Sequence, residues 1–341
     1  MREPRQQDGR VTIHDVARAA GVSRQTVSNA VNNPERVRPD TLERVRSAID
    51  DLGYHPSSSA QSLRNQRSGA IGLELHTLGS HNATTAPVLT ELSIGAARHG
   101  CHVVPFGSAS GTPMIEGYRA MWAGRLVDAF LVSETHHGDP RPPWLEERDI
   151  PFASFGRVWD DPTFTRWVDV DGAAGTRAAV EHCLAQGYRT IAFLGWPEGS
   201  VVGDDRQAGW AEACAAAGVS PGPVVRAEQD LDAAYASAVP LVASLSPGDA
   251  VVCASDVLAL GVHQAAVRAG LEPGRDLGIV GFDGSETAAM HHITSAAQPY
   301  DAVAEEALLL VRSAMRGEDP PATGSLLRPT LRTDRSTSPT T

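Results

Sequence analysis

From Ser68 onward the chain alternates short apolar runs with longer helical stretches, and this alternation restricts the fold more than any other feature. AIGLEL, HVVPF, VDAFLVS, PFASFG, TIAFLG, PVVRA, AVVCAS and LGIVGF are rich in Val, Ile, Phe and Ala. Between them lie APVLTELSIGAARHG, GTRAAVEHCLAQG, AGWAEACAAAG, VLALGVHQAAVRAG and DAVAEEALLLVRSAM, which read as helices. Continuous apolar strands must be covered on both faces, so the pattern predicts doubly wound parallel sheets with helices on either side, an α/β core. Roughly 265 residues exceed one ordinary sheet domain, and two lobes are expected. Ligands of such folds sit beyond the carboxyl ends of the strands, in the crevice between lobes.

The first seventy residues follow a different rule. In VTIHDVARAAGVSRQTVSNAVNN (11–33), Val11, Ile13, Val16, Ala17 and Ala20 recur at helical spacing until Gly21 breaks the run. Thr12 with Asp15 forms a capping-box start, and Ser23 caps a second helix running from Arg24 to Asn32. That helix turns Val27, Ala30 and Val31 inward and Arg24, Gln25, Thr26, Ser28 and Asn29 outward. A small all-α unit whose second helix is polar and free of acids outside is the helix-turn-helix arrangement that reads a DNA major groove. Pro34 stops the second helix, and Pro39 opens a third with Leu42, Val45, Ile49 and Leu52 on one face. Gly53 ends it, and Tyr54 is expected to close the small core.

Charge separates the same two regions. The chain has a formal net charge of −12 and contains no lysine. Residues 1–68 nevertheless hold 11 Arg against 8 Asp and Glu, while the remainder holds 18 against 33. A basic head on an acidic body suits a phosphate-binding module carried by a domain that avoids DNA. No apolar run reaches membrane-spanning length, and MREPRQQDGR lacks the apolar core of a secretion signal, so a cytoplasmic protein is expected. Four scattered cysteines without CxxC spacing agree with a reducing compartment.

Between head and body lies HPSSSAQSLRNQRS (55–68), too polar to pack alone. Ser57 can cap a short helix through Ala60, Gln61 and Leu63, and an exposed Leu in such a segment suits a wedge between base steps in the minor groove.

Taken together, VTIHDVARAAGVSRQTVSNAVNN, VRPDTLERVRSAIDDLGYHPSSSAQSLR and SGAIGL resemble the LacI-type family of bacterial transcription regulators, typified by lactose and ribose repressors. The resemblance implies a three-helix head with a hinge helix that folds on DNA, and a periplasmic-binding-protein-like pair of lobes. It places Arg24, Gln25 and Asn29 at base edges, with Thr12, Ser23, Thr26, Ser28 and Asn32 completing the DNA-contacting set, and makes Leu63 the intercalating hinge residue beside Ala60. VDVDGAAGTRAAVEHCLAQGYRTIAFLG resembles the first crossing into lobe two, SAAQPYDAVAEEALLLV the return, and LLRPTLRTDRST the C-terminal strand. The expected division is a disordered 1–10, a head at 11–56, a hinge at 57–68, a core at 69–336 and a tail at 337–341. Within the core, lobe one takes about 69–168 and 297–323, and lobe two about 169–296 and 324–336.

Polar groups cluster where strands should stop. Asp204-Asp205-Arg206 is expected to precede a helix, Ser255-Asp256 follows VVCA, and Asp283 follows LGIVGF. An arginine flanked by carboxylates suits a polyhydroxylated ligand, because Arg donates in pairs and Asp accepts from adjacent hydroxyls. Each Asp or Ser is also an ordinary helix cap. Resemblance raises Arg206 and Asp283 as effector contacts. Ser255-Asp256 stands where the family usually has Asn-Asp, and Leu231 where an aromatic often follows the Asp matching Asp230. A stacking platform is therefore missing, or is supplied by Trp159, Phe164 or Trp196.

Other chemistries find no support. His136-His137 and His291-His292 are doublets rather than i, i+4 pairs, FGSASG lacks the order of a nucleophile elbow, and the glycines between 195 and 203 make no dinucleotide fingerprint. The sequence implies no cofactor, no metal and no catalytic pair. It describes a repressor-like regulator, acting as a homodimer on a near-palindromic double-stranded operator, whose affinity is set by a small polar ligand of carbohydrate type. STSPTT after Arg335 has no heptad leucines to join dimers. A solute-binding protein is the alternative that the core alone suggests.

Overall fold

A computed structural model describes residues 11–54, 67–75, 85–107 and 114–338. The chain divides into two compact units at Ser68, each treated on its own. The expected N-terminal stretch 1–10 and the hinge with Ala60 and Leu63 lie outside the described residues.

The first unit is helical: α1 (Ile13–Ala20), α2 (Arg24–Asn32), a 3-10 turn at Pro34–Arg36 and α3 (Pro39–Leu52). Its core is Val16, Ala17, Ala20, Val27, Ala30, Val45 and Ala48, with Tyr54 packed against it. Small residues fill it because three short helices approach closely. Gly21 adopts φ 64°, a left-handed conformation costly for a side chain, and so turns α1 into α2. Leu52, expected inside, is at the surface in the last turn of α3.

The second unit holds two six-stranded sheets. In chain order its elements are β1 (Ala70–Glu74), α4 (Thr85–Arg98), β2 (His102–Phe106), α5 (Met114–Ala123), β3 (Ala129–Ser133), α6 (Arg141–Glu146), β4 (Phe152–Phe155) and β5 (Trp167–Val170). There follow α7 (Gly172–Ala185), β6 (Ile191–Gly195), α8 (Val201–Ala216), β7 (Val224–Arg226), α9 (Leu231–Ser244), β8 (Asp249–Cys253) and α10 (Asp256–Arg268). The last elements are β9 (Leu277–Asp283), α11 (Glu286–Met290), β10 (Thr294–Ala297), α12 (Tyr300–Met315), β11 (Ser325–Leu327) and β12 (Thr330–Arg332). The sheet orders are β11-β5-β4-β3-β1-β2 and β12-β10-β9-β8-β6-β7, parallel except where β12 runs against β10.

The chain crosses between sheets three times: at Asp171, at Gln298-Pro299 and at Arg328-Pro329. The sequence-based division is corrected accordingly. Asp169 and Val170 remain in lobe one, because β5 continues to that point. Ser325–Leu327, assigned to lobe two, pairs with β5 and so closes the first sheet. Nor is Thr337 a loose tail. Ser336 and Thr337 are buried, the Ser336 hydroxyl donates to the Ile279 carbonyl and accepts from the Thr294 N–H, and Thr337 meets the Thr294 hydroxyl at 2.6 Å. Among the described residues, no helix is long and apolar enough to cross a membrane.

Candidate DNA-reading helix and ligand cavity

In the first unit the Thr12 N–H and hydroxyl both donate to one Asp15 oxygen, at 3.0 and 2.7 Å, and the Ser23 hydroxyl accepts from the Thr26 N–H. These caps leave the outer face of α2 to side chains alone. Arg24 and Gln25 are exposed, while Thr26, Ser28 and Asn29 are half-buried. The Gln25 amide donates to the Asn29 amide oxygen at 3.1 Å, one turn along. Two amides held in register present donors and acceptors together, which suits bidentate contact with a base edge. The Asn32 amide instead donates to the Ser28 carbonyl at 2.6 Å, so its donor is engaged within the helix.

In the second unit the carboxyl ends of both sheets border a cavity of about 450 Å³, within the range of small-molecule sites. Its lobe-two wall carries Arg206, Asp283, Gln298, Trp196 and Gln229. Arg206 lies inside α8, whose first turn is Val201–Asp204 capped by Ser200, rather than in a loop before the helix. It is buried: its guanidinium packs 3.7 Å from the Phe282 ring centroid and 5.1 Å from that of Trp196, and reaches Asp283 at 3.5 Å. Its Nε finds no hydrogen-bond partner among the described residues. Gly172 keeps this place open, since a Cβ there would come within 2.9 Å of Asp205 Oδ2 and 3.0 Å of Arg206 Cγ.

Asp283 ends β9 at φ 113°, a backbone region that L residues rarely occupy. Its carboxylate accepts from the Gln298 amide at 2.7 Å. Burial pushes its pKa up to about 7, against the opposing pull of Arg206. Asp256 is raised by burial as well, although the Ser295 hydroxyl and the Ser285 N–H donate to it.

Four sequence-derived effector residues take other roles. Ser255 and Asp256 do not line the cavity. The Ser255 hydroxyl caps α10 and donates to Gln229 Oε1, while Asp256 ties α10 to the Ser285 and Ser295 segments. Both sit behind the wall because the first turn of α10 buries them. Phe164 stacks on Phe152 in lobe one, centroids 4.7 Å apart and 10° from parallel, and Trp159 lies under Arg157 at 4.4 Å. Neither ring reaches the cavity, and Trp196 does.

The lobe-one wall was not anticipated. Apolar Leu73, Leu75, Val88, Leu92 and Leu131 share it with Glu74, Glu134 and Asp169. Glu74, only 3% exposed at the end of β1, meets Arg141 at 3.4 Å. The fully buried Arg141 also donates to Asp139, to the Ser133 and Glu134 carbonyls and to the Tyr118 hydroxyl. Burial and the carboxylate of Glu74 keep that phenol protonated well above its usual range, although Arg141 opposes them. Arg157 bridges the lobes: its Nε donates to Asp169 at 2.8 Å, and its Nη2 lies 3.3 Å from Asp205 on α8. Burial raises the Asp169 carboxyl despite that partner. Glu74 was recoverable from AIGLEL by the reasoning that found Asp283, a carboxylate at the carboxyl end of an apolar strand.

Comparison with known proteins bears on both units. The pattern described as "Bacterial regulatory proteins, lacI family" matches residues 12–57, and a periplasmic binding protein-like domain matches 180–337. The HTH-type transcriptional regulator CelR of Thermobifida fusca is 30% identical over 322 residues, 91% of this chain and 93% of that protein. The structure of a transcriptional regulator CelR–cellobiose complex superposes with a TM-score of 0.71 at 29% identity, covering 96% of this chain and 100% of that one. A lac repressor dimer bound to operator and an anti-inducer gives 0.77 at 25% identity, covering 96% and 99%. A match that spans head and core together excludes the solute-binding alternative, which accounts for the core alone. The chain belongs to the LacI family of bacterial transcriptional regulators.

Proposed function

We propose that this regulator represses transcription as a cytoplasmic homodimer on a near-palindromic operator, and that a small polar effector in the interlobe cavity sets its operator affinity. Arg24, Gln25 and Asn29 read base edges, with Thr12, Ser23, Thr26 and Ser28 along the backbone. Ala60 and Leu63, in the segment outside the described residues, form the hinge wedge. Arg206, Asp283 and Gln298 hold the effector, and Trp196 supplies the flat surface that Leu231 cannot. The chain acts by binding rather than by catalysis.

The observation that carries this reading is the cavity whose polar wall, Arg206 with Asp283 and Gln298, faces one that mixes apolar Leu73, Leu75, Val88, Leu92 and Leu131 with carboxylates. A hydroxylated ring with one apolar face satisfies both walls, and the cellobiose bound by the similar CelR is such a molecule. Arg157 joining Asp169 to Asp205 supplies a contact that changes when the lobes shift, so a ligand that prefers one arrangement biases the other end of the chain.

The test is selection of genomic fragments by the full chain, with and without a sugar panel. Fragment enrichment that a sugar weakens or strengthens supports the reading, provided that Arg206→Ala keeps the enrichment and loses the sugar response. Enrichment unaffected by Gln25→Ala and Asn29→Ala together removes α2 from the reading role.

A further inference from the structure

The charged side chains around the cavity follow one arrangement three times. Arg141 stands between Glu74 and Asp139, at 3.4 and 2.7 Å. Arg157 stands between Asp169 and Asp205, at 2.8 and 3.3 Å. Arg206 stands beside Asp283 at 3.5 Å, and its charge also acts on Asp256. Arg141 and Arg157 are each shared by two carboxylates, and Arg206 is paired with Asp283. Among the described wall residues Glu74, Glu134, Asp169 and Asp283 face one guanidinium, that of Arg206, and one imidazole, that of His136.

We infer that this cavity selects effectors without negative charge, neutral polyols or polyols carrying an ammonium group, and that Glu74 is the specificity-determining residue on the lobe-one wall. The inference rests on the cavity being the effector site.

A phosphate or carboxylate entering here would find most of the arginine donors already committed. Arg141 spends its guanidinium on Asp139, Glu74, Tyr118 and two carbonyls. Arg157 is held from both sides. Arg206 donates to the Ala254 carbonyl and its charge is answered by Asp283, which leaves its Nε as the one guanidinium donor on the wall without a partner among the described residues. The opening turn of α8 borders the cavity, and a helix N-terminus attracts anions. Here the Ser200 hydroxyl accepts from the Gly203 N–H and Asp204 places a carboxylate in that first turn, so the positive end is answered from within the helix. The chain has no lysine to contribute. A buried anion near Glu74 therefore meets a wall on which carboxylates outnumber guanidinium groups, and discrimination of about a hundredfold follows from a separation of several ångströms at intermediate dielectric.

The experiment uses the full chain and matched ligands: glucose, glucosamine, glucuronate and glucose 6-phosphate; the corresponding galactose set; and cellobiose and maltose with their aldonic acids. Binding is read by calorimetry and thermal shift, and operator release by fluorescence anisotropy. Binding by neutral or amino members, with each anionic counterpart about a hundredfold weaker or silent, is the expected result. In Glu74→Gln, the ratio between neutral and anionic counterparts should fall about tenfold. An anionic member that binds as well as its neutral counterpart, a ratio unmoved by Glu74→Gln, or a panel in which nothing binds overturns the inference. The two readings separate cleanly. An anionic ligand that binds and alters operator affinity leaves the regulator reading standing. Neutral ligands that bind and leave operator affinity untouched leave the charge inference standing and remove the regulatory one.

Discussion

On α2 the polar side chains stand at the surface and find partners one turn along the same helix, as Gln25 does with Asn29. Around the cavity they are buried or half-buried, and their partners come from distant elements: Glu74 from β1 meets Arg141 from α6, and the half-buried Arg157 after β4 meets Asp205 from α8. A surface amide can be removed with little cost to the fold, because water replaces its partner. A buried guanidinium cannot, because its removal leaves carboxylates in a medium that penalises charge. Substitutions on α2 therefore report on recognition, whereas single substitutions in the cavity report on recognition and folding together.

The largest effect expected from that difference is at Arg141. Its side chain is fully buried between two carboxylates, so Arg141→Met should lower stability by about 3–5 kcal/mol, the range for breaking one side of a buried ion pair. Chemical denaturation of the full chain measures it. Replacing all three charges, Arg141→Met with Glu74→Gln and Asp139→Asn, should recover part of the loss. A single variant within 1 kcal/mol of the parent, roughly the ordinary surface response, would dissolve the contrast between the two regions.

Asp283 gives the next. Its pKa is moved by burial from 3.8 to about 7, so between these values the folded chain retains a proton that the unfolded chain has released. Stability therefore declines as pH rises through that window and levels off above it, by up to about 1.4 kcal/mol per pH unit from this group. Asp283→Asn, which keeps a residue tolerant of positive φ, should flatten the slope. Asp169 and Asp256, also raised by burial, leave a residual slope of the same sign. An identical pH profile in parent and variant would show that Asp283 titrates as it does in the unfolded chain.

At α2 the expectation reverses. Gln25→Ala or Asn29→Ala should cost about 1–3 kcal/mol in operator affinity and relax preference at particular base pairs. Melting should barely move, since neither side chain fills the head core. Melting that falls as far as affinity would mean that α2 contributes to the fold what it was thought to contribute to readout.

The same contrast explains how much of this molecule was legible in its sequence. Helical periodicity and caps are local, so α1 to α3, the Thr12–Asp15 contact and the Ser23 cap were readable from a few neighbouring letters. Parallel strands announced themselves by composition, and Asp283 by its place at the end of an apolar run; Arg206 came from the family resemblance, since it lies inside α8 rather than before it. Which lobe a short segment joins is decided by pairing partners far away: Ser325–Leu327 adds to β5 across some 155 residues of intervening chain, which no local pattern records. Aromatic residues misled for a related reason. Trp159, Phe164 and Trp196 are equally plausible as stacking surfaces in sequence, and only packing against Phe152 or Arg157 removes the first two from the cavity. Glu74 was legible as a carboxylate ending an apolar run, but its buried partner Arg141 lies 67 residues away and no local pattern records that pairing.

Thr12 sharpens the comparison with the smallest effect, because it carries both kinds of duty at the surface. Its hydroxyl and N–H donate to Asp15, holding that carboxyl below its ordinary range, and it stands where a DNA backbone contact is proposed. Since the Asp15 pKa is lowered on folding, this contribution is present above about pH 4 and fades as the pH falls below it. At neutral pH, Thr12→Ala loses the hydroxyl and should lower the melting temperature of the full chain's head transition by roughly 5 °C. Thr12→Ser keeps the oxygen and should restore the melting temperature. It should also restore DNA binding if the hydroxyl is what the phosphate meets. Should Thr12→Ser melt like the parent yet bind DNA as weakly as Thr12→Ala, the methyl group would be the DNA-facing part. The cap and the contact would then be separate duties of one side chain, and α1 would join α2 in shaping the reading surface.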